Sequence, residues 1–218
     1  MVRSRAVYVA DLNFTDTLAA LGPALTREPY KAPPRAPVLH IKPENTWAAS
    51  GSDIVCPLGV DALRMGGSIA AVIGRTARRV DARHALEFVQ GYVLVNDVSV
   101  PYESHYRPAV RQRCRDGFCP IGAEVAAGAS LPPVHTLTVR IHVNDTECCA
   151  VPMSHLVRGV ARLIADVSAF MTLDRGDLLA VGEPHDAPLA RPGDRVRVSA
   201  DGFRALENRI VAQGEATT

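Results

Sequence analysis

Three features are absent from this chain: a long apolar run, an excess of charge of one sign, and cysteines at metal-site spacing. No apolar stretch reaches the roughly 18 residues that a membrane-spanning helix needs. The net charge is only +1, which is not typical of a nucleic-acid-binding protein. Residues 1–8 are basic but lack the apolar stretch of a signal peptide. We therefore expect a cytoplasmic protein whose partners are neither membranes nor nucleic acids.

The cysteines exclude the common zinc sites. There are five, none of them in a Cys-x-x-Cys pair; Cys114 and Cys119 are five residues apart, and Cys148 and Cys149 are adjacent. Structural zinc sites use closer and repeated spacings. In a cytosolic protein the cysteines are then expected to be free thiols.

The length and the patterning predict one α+β domain dominated by sheet. The 218 residues suffice for one sizeable core but are few for two independent domains. Residues 1–37 are expected to give a strand, a helix and a proline-rich connector, residues 38–213 the main domain, and residues 214–218 a loose tail. Many short strands, few helices and 16 prolines favour layered mixed sheets.

Apolar periodicity places most of the individual elements. Strands are expected at 6–12, 38–41, 68–74, 92–95, 136–143, 178–181 and 195–198. Helices are expected at 15–26, 81–89 and 154–170, the first of them broken by Gly22-Pro23. Asn144-Asp145 is expected to be the turn that follows the strand at 136–143.

The most informative stretch of sequence follows an apolar strand. That strand ends in Asp97, and a compact loop shortly after it carries Arg111, Arg113, Arg115 and Asp116. Arginines bind carboxylates in a planar, bidentate manner, so the pattern suits a pocket for a small dianionic substrate. On an extended strand Arg113 and Arg115 would share one face. Burial would raise the pKa of Asp97 and suit it to be a general base, whereas a nearby arginine would lower it, and the sequence leaves both open.

Further candidates lie on loops elsewhere in the chain. Lys42 and Arg107 could bind anions, Glu103 could shuttle a proton, and Glu183 follows a strand end. Asp116 would orient one of the loop arginines or cap a turn. For each of them a solvated surface position is the alternative. The candidate catalytic residues are thus Asp97, Glu103 and Arg113, and the candidate substrate-binding residues are Lys42, Arg107, Arg115, Asp116 and Glu183.

A series of short motifs, in order along the chain, resembles the fumarylacetoacetate hydrolase superfamily. They are Lys42-Pro43, Ala71-Val72-Ile73-Gly74-Arg75, Gly91-Tyr92, Asn96-Asp97-Val98-Ser99, Asp116-Gly117-Phe118-Cys119-Pro120-Ile121-Gly122, Thr172-Leu173-Asp174-Arg175-Gly176-Asp177, Pro192-Gly193-Asp194 and Leu206-Glu207-Asn208. Within the superfamily, Tyr106-Arg107-Pro108-Ala109 and the run from Cys114 to Gly122 are similar to the two-repeat isomerase/decarboxylases of 4-hydroxyphenylacetate (homoprotocatechuate) degradation, and this chain resembles their N-terminal half.

The resemblance implies layered mixed sheets with a site at the strand ends, assembly as dimers or with a homologous subunit, and usually a divalent metal such as Mg²⁺. The implied substrates are 2-hydroxyhepta-2,4-diene-1,7-dioate, which is isomerised, and 5-oxopent-3-ene-1,2,5-tricarboxylate, which is decarboxylated.

The chain departs from the family pattern at the metal. The Glu-x-Glu of the metal-dependent members is replaced by Gly66 and Ser68, and of the family ligands only Asp97 is retained. The His and Glu of the family lid fall at Thr17 and Ala20, which cannot transfer a proton. One carboxylate is a poor site for Mg²⁺, so metal binding by this chain is doubtful.

Three functions are consistent with these departures. The first is a metal-free isomerase, with or without decarboxylase activity, in which arginines and Lys42 hold a di- or tricarboxylate. The second is a non-catalytic subunit that pairs with a metal-binding homologue. The third, a hydrolase of carbon–carbon bonds, fits least well because that chemistry depends on the missing metal and lid residues.

Overall fold

Strands dominate the computed structural model, which describes residues 6–102, 106–127 and 131–214. The larger sheet has the strand order β2-β1-β11-β5-β6-β7-β3, with β12 added to β5 and β8 added to β6. Its strands are β1 (Val7–Asp11), β2 (Val38–Lys42), β3 (Trp47–Ala49), β5 (Leu63–Ile73), β6 (Val89–Ser99), β7 (Cys119–Ile121), β8 (Val125–Ala126), β11 (Leu178–Ala180) and β12 (Leu189–Ala190). Two pairings, β1 with β11 and β3 with β7, are parallel, and the others are antiparallel.

The second sheet has five strands in the order β10-β9-β13-β14-β4. Its strands are β4 (Asp53–Cys56), β9 (Thr138–Val143), β10 (Thr146–Pro152), β13 (Arg195–Ser199) and β14 (Leu206–Ala212). The β9–β10 hairpin turns at Asn144 and Asp145, both with positive φ, as two-residue hairpins require.

One core joins the two sheets. Alternate residues of β5 and β6, such as Ile69 and Leu94, pack against Ile141 and Val198 of the five-stranded sheet. The opposite face of β5 and β6 belongs to a smaller apolar cluster with β1 and β11. The layered, mostly β architecture predicted from the sequence is confirmed.

Helices are short and lie outside the sheets. The α-helices in the described part of the chain are α1 (Thr15–Leu25), α2 (Val110–Arg113) and α3 (Val160–Ser168). Short 3-10 turns occupy Glu44–Thr46, Ala85–Phe88, Val134–Thr136 and Met153–His155. None of the helices in residues 6–102, 106–127 and 131–214 has the length and apolarity needed to cross a membrane.

The three predicted helices were each wrong in part. Helix α1 continues through Gly22-Pro23 to Leu25, because a proline in the last turn costs few hydrogen bonds. At 81–89 there is only a 3-10 turn, since Val89 already pairs with Ile73 in the sheet.

The predicted helix at 154–170 begins only at Val160. The apolar residues before it, Leu156 and Val157, lie on extended backbone. Leu156 forms an isolated antiparallel β-bridge with Phe14, and the Val157 N–H donates to the Asn13 carbonyl at 2.8 Å. Apolar spacing alone could not distinguish the extended segment before Val160 from the helix after it, because both contain the same kind of apolar side chain.

Gly67 of β5 provides a test of the inter-sheet packing. A Cβ at this position would lie 2.9 Å from Ile141 Cγ1 and 3.0 Å from Val198 Cγ1. We expect Gly67→Val to lower the free energy of unfolding by about 1–3 kcal/mol through overpacking. Urea denaturation measures the change.

Gly22→Ala is the matched control, because a Cβ on this helical residue would meet no atom within 4 Å. It should be neutral or stabilising by less than about 1 kcal/mol. Equal effects of the two substitutions would show that the sheets are not closely packed at Gly67.

Candidate active site

The candidate site lies on the same face of the large sheet as the smaller apolar cluster. Because side chains alternate along a strand, Asp11 lies on the face of Val7 and Val9, and Asp97 on the face of Val93 and Val95. The apolar cluster thus gives way to a group of charged side chains as β1 and β6 approach their ends.

Strand β2 adds two cations to the same face. In the β1–β2 register His40 lies opposite Val9 and Lys42 opposite Val7. The Lys42 ammonium reaches the Val98 carbonyl on β6 at 2.7 Å, although β1, β11 and β5 separate β2 from β6 in the sheet. A lysine side chain cannot span that distance across a flat sheet, so the sheet must curl. Local alternation and sheet curvature together therefore assemble the site.

Asp97 is the centre of this group and is fully buried. Its Oδ1 lies 2.6 Å from Lys42 Nζ, and its Oδ2 lies 2.9 Å from His40 Nε2 and also accepts from Arg113 Nη1. Burial by itself raises the pKa of the Asp97 carboxyl, but Arg113, Lys42 and His40 outweigh burial and hold it well below its usual range. Of the two possibilities left open by the sequence, the structure therefore supports an ionised Asp97.

Lys42 has protein partners on all sides. Its ammonium is ion-paired with Asp97 and donates to the carbonyls of Val98, Arg113 and Phe118 at 2.7, 2.9 and 3.0 Å. The side chain is inaccessible to solvent. Lys42 therefore binds groups of the protein itself, whereas the sequence suggested that it binds a substrate carboxylate.

Arg113 is the second buried cation, and it connects three carboxylates. Its guanidinium contacts Asp97, Glu183 and Asp11, the last through Nη2 to Oδ1 at 3.2 Å. Its Nε also donates to Tyr102 Oη at 2.7 Å. Burial tends to lower the pKa of Arg113, but these carboxylates raise it further above its already high value. Each of its three nitrogens therefore has a partner within the protein.

The predicted alternation of Arg113 and Arg115 on one strand face was wrong. Arg113 ends the helical turn α2 and points inward, whereas Arg115 is half-buried and its Nε donates back to the Arg111 carbonyl at 3.1 Å. Asp116 accepts from Asn45 Nδ2 at 2.7 Å. Arg115 and Asp116 are not among the residues that line the cleft described below.

His40 is a site residue that the sequence prediction missed. Its Nδ1 lies 3.2 Å from Asp11 Oδ2, and its Nε2 lies 2.8 Å from Arg113 Nη1 as well as 2.9 Å from Asp97. Burial tends to lower the pKa of His40, but Asp97 and Asp11 prevail and raise it. His40 and Lys42 are two residues apart on β2 and so lie on the same face, which was the one sequence signal for His40. That signal becomes informative only once it is known that this face meets Asp97.

Glu183 reaches the group from a strained loop. Gly182 has φ +119°, and a Cβ there would lie 2.7 Å from the Ala10 carbonyl, so only glycine lets the chain pass this close to β1. Glu183 then pairs with Arg113, while its Oε2 lies 3.6 Å from Arg64 Nε. Burial raises the pKa of Glu183, with Asp97 adding to the rise, although Arg113 and Arg64 oppose it.

A cleft of about 510 Å³ opens beside these residues. Its polar lining includes Asp11, His40, Tyr102, Arg107 and Arg113, which places the predicted Arg107 at the cleft. The apolar lining comes from Val38, Leu39, Ile41, Pro43, Pro108, Ala109 and Val110. Glu103, the remaining candidate, lies outside the residues that the structure describes.

The residues at the family metal position do not fit a divalent ion. Gly66 pairs directly with Asp97 across β5 and β6, and a Cβ at Gly66 would lie 2.7 Å from the Asp97 carbonyl and 2.7 Å from Glu183 Oε2. Ser68 is buried, and both oxygens of Asp97 already face cations. Within residues 6–102, 106–127 and 131–214, no trio of His, Cys, Asp or Glu side chains is arranged to ligate a metal.

A family model described as fumarylacetoacetate (FAA) hydrolase C-terminal matches residues 6–211. The chain belongs to the fumarylacetoacetate hydrolase family. It is 42% identical to the 4-hydroxyphenylacetate degradation bifunctional isomerase/decarboxylase of Escherichia coli, over 97% of this chain and 48% of that protein. This chain spans about half the length of this relative and of two further isomerase/decarboxylases, from Escherichia coli and Salmonella dublin.

Solved structures of the family share the fold. A 2-hydroxyhepta-2,4-diene-1,7-dioate isomerase from Mycobacterium marinum has a TM-score of 0.78 and 25% identity, over 98% of this chain and 77% of that one. A fumarylpyruvate hydrolase from Pseudomonas aeruginosa in complex with Mn²⁺ and pyruvate has a TM-score of 0.82 over 96% and 90% of the two chains. Its identity is 23%, so it supports the fold alone. The Mn²⁺ in that structure is a property of that protein.

The contacts of Lys42 predict its effect on stability. Lys42→Met should lower the free energy of unfolding by about 3–5 kcal/mol, because a buried carboxylate then loses one of its partners. Lys31→Met is the control, since Lys31 is 72% exposed in its ion pair with Glu28. Urea denaturation of both variants gives the comparison, and a Lys42→Met loss below about 0.5 kcal/mol, the range of ordinary surface changes, would contradict the arrangement.

Proposed function

We propose that this chain is an isomerase/decarboxylase of homoprotocatechuate breakdown. Its substrates would be 2-hydroxyhepta-2,4-diene-1,7-dioate, 5-oxopent-3-ene-1,2,5-tricarboxylate or both. The observation that carries the proposal is the 42% identity, over 97% of this chain, to the bifunctional isomerase/decarboxylase. The cleft is chemically compatible with such substrates, because it combines apolar walls with cationic and acidic groups.

Substrate binding in this proposal depends on Arg107. Arg107 is exposed on the cleft lining, so its guanidinium can meet a carboxylate without first leaving a buried partner. The carbon chain of the substrate would lie against the apolar lining. Lys42 and Arg113 would act on the substrate through their positive charge and by holding Asp97, since their own donors are directed to protein atoms.

Proton transfer is assigned to His40, which lies between the carboxylates of Asp11 and Asp97. Asp11 and His40 line the cleft, and His40 joins the two carboxylates through its two ring nitrogens. A neutral His40 with its proton on Nδ1 can accept from Arg113 at Nε2, and a charged His40 can donate from Nε2 to Asp97. Both protonation states therefore have partners, which suits a group that relays a proton between carbons of an enol and a ketone.

The other site predictions from the sequence enter the proposal as follows. Asp97 and Arg113 would be positioning residues behind His40. Glu183 would stabilise Arg113, while Glu103 stays a prediction for proton transfer. Arg115 and Asp116 would bind substrate only at the outer edge of the site. A cytoplasmic location and assembly into oligomers also remain predictions.

A partner-subunit function is the second candidate. It is favoured by the replacement of both metal glutamates at Gly66 and Ser68, together with the match to half of a longer enzyme. In this case a homologous subunit with a complete metal site would carry the reaction. A carbon–carbon hydrolase stays the least favoured, since the Mn²⁺-bound hydrolase resembles this chain in fold alone.

The first test is turnover by the purified chain. Loss of the 2-hydroxyhepta-2,4-diene-1,7-dioate absorbance is followed with EDTA and, separately, with added Mg²⁺. We expect equal turnover in both, because the site holds its own cations. Turnover that appears only after a metal-binding homologue is added would favour the partner-subunit function and contradict the main proposal.

The second test separates binding from proton transfer. Arg107→Gln should raise KM about tenfold with little change in kcat, whereas His40→Phe should lower kcat about 100-fold or more, the usual size of a general acid–base contribution. Arg83→Gln is the control, because Arg83 is 82% exposed and pairs with Asp81. If His40→Phe keeps wild-type kcat, the proton relay is wrong.

A further inference from the structure

We propose that Asp11, Asp97 and Glu183 form a cation site whose resident cation is the guanidinium of Arg113, and that Arg113 excludes a divalent metal from it. The three carboxylates come from separate parts of the chain: the end of β1, the end of β6 and the loop after β11. All three converge on one side chain. This inference concerns what occupies the site and does not depend on which substrate the chain uses.

The first step is charge. Asp97 and Glu183 are buried and the Asp11 side chain is only 12% exposed, so all three carboxylates need compensation, since burial of an unpaired charge costs several kcal/mol, as an order of magnitude. Arg113 is itself buried and touches all three of them, and Lys42 compensates Asp97 from the other side at 2.6 Å. Arg113 therefore does for these carboxylates what a bound metal ion does elsewhere.

The second step is space. Glu183 Oε2 is buried, has no hydrogen-bond partner among the described residues, and points to where a side chain at Gly66 would begin. A ligand side chain at Gly66 is therefore excluded by Glu183 and by the Asp97 carbonyl. Glu183 pairs with Arg113 through Oε1, while its Oε2 lies 3.6 Å from Arg64 Nε. The set of carboxylates around Arg113 thus differs from the Glu-x-Glu and Asp set of the metal-dependent members.

The third step is ligand reach. The carboxylates are spaced to surround a guanidinium: Asp11 Oδ1, for example, lies 3.2 Å from Arg113 Nη2. A Mg²⁺ ion instead needs its oxygen ligands at about 2.0–2.1 Å from the metal. Removing the guanidinium would leave three carboxylates facing one vacated volume. A divalent ion with water ligands could then draw them together.

The experiment measures Mn²⁺ uptake directly. Wild-type chain, Arg113→Ala and Arg113→Lys are titrated with MnCl₂ by calorimetry, and bound Mn²⁺ is counted after gel filtration. We expect the wild-type chain to take up no Mn²⁺ and Arg113→Ala to bind Mn²⁺ at least tenfold more tightly than the wild-type chain does. Arg113→Lys retains a cation at this position and should bind Mn²⁺ no more tightly than the wild-type chain. Adding Glu183→Gln to Arg113→Ala should abolish the gain.

Two results would overturn the inference. Stoichiometric Mn²⁺ on the wild-type chain would show that Arg113 does not exclude a metal, and a folded Arg113→Ala that gains no affinity would show that the carboxylates are not a cation site. If Arg113→Ala unfolds in EDTA, its thermal unfolding is repeated with MnCl₂. Recovery of a cooperative transition supports the inference, and no recovery contradicts it.

Discussion

Compensation of the buried Asp97 carboxylate is the constraint on which the rest of the site depends. A carboxylate without access to water must be ionically paired or protonated, and here three cations keep it ionised. This requirement explains why Lys42, His40 and Arg113 all point to the same place. It also explains why these charged side chains lie together, next to the smaller apolar cluster on the same face of the large sheet.

The same compensation fixes the positions of distant segments. Arg113 links β1, β6 and the loop after β11, while Lys42 binds the carbonyls of Val98 before α2, Arg113 at its end and Phe118 after it. Breaking any of these contacts would deprive a buried charge or carbonyl of one of its partners. The site is therefore part of what holds the curled sheet in shape, and its rigidity follows from the number of charges that must stay paired.

Much of the sheet could be predicted from the sequence, but the helix boundaries could not. Strands such as β5, β6 and β9 carry a period-two or continuous apolar signal that their burial reproduces. The segment before Val160 has helical spacing yet is extended, because the Asn13 side chain bonds the N–H and the carbonyl of Arg158, and the Asn13 carbonyl accepts from the Val157 N–H. Contacts between residues about 145 positions apart leave no local trace in the sequence.

The sequence by itself determined the family, the sheet-rich class and the loss of the metal glutamates at Gly66 and Ser68, and it made Asp97 and Arg113 candidates for the site. Only the tertiary structure decided which groups meet Asp97. It brought in His40 and Asp11, turned Arg115 away, and buried Glu183 beside Arg113. The reason is physical: strand alternation fixes the face on which a side chain lies, but pairing between charges depends on the curvature and register of strands that are far apart in the chain.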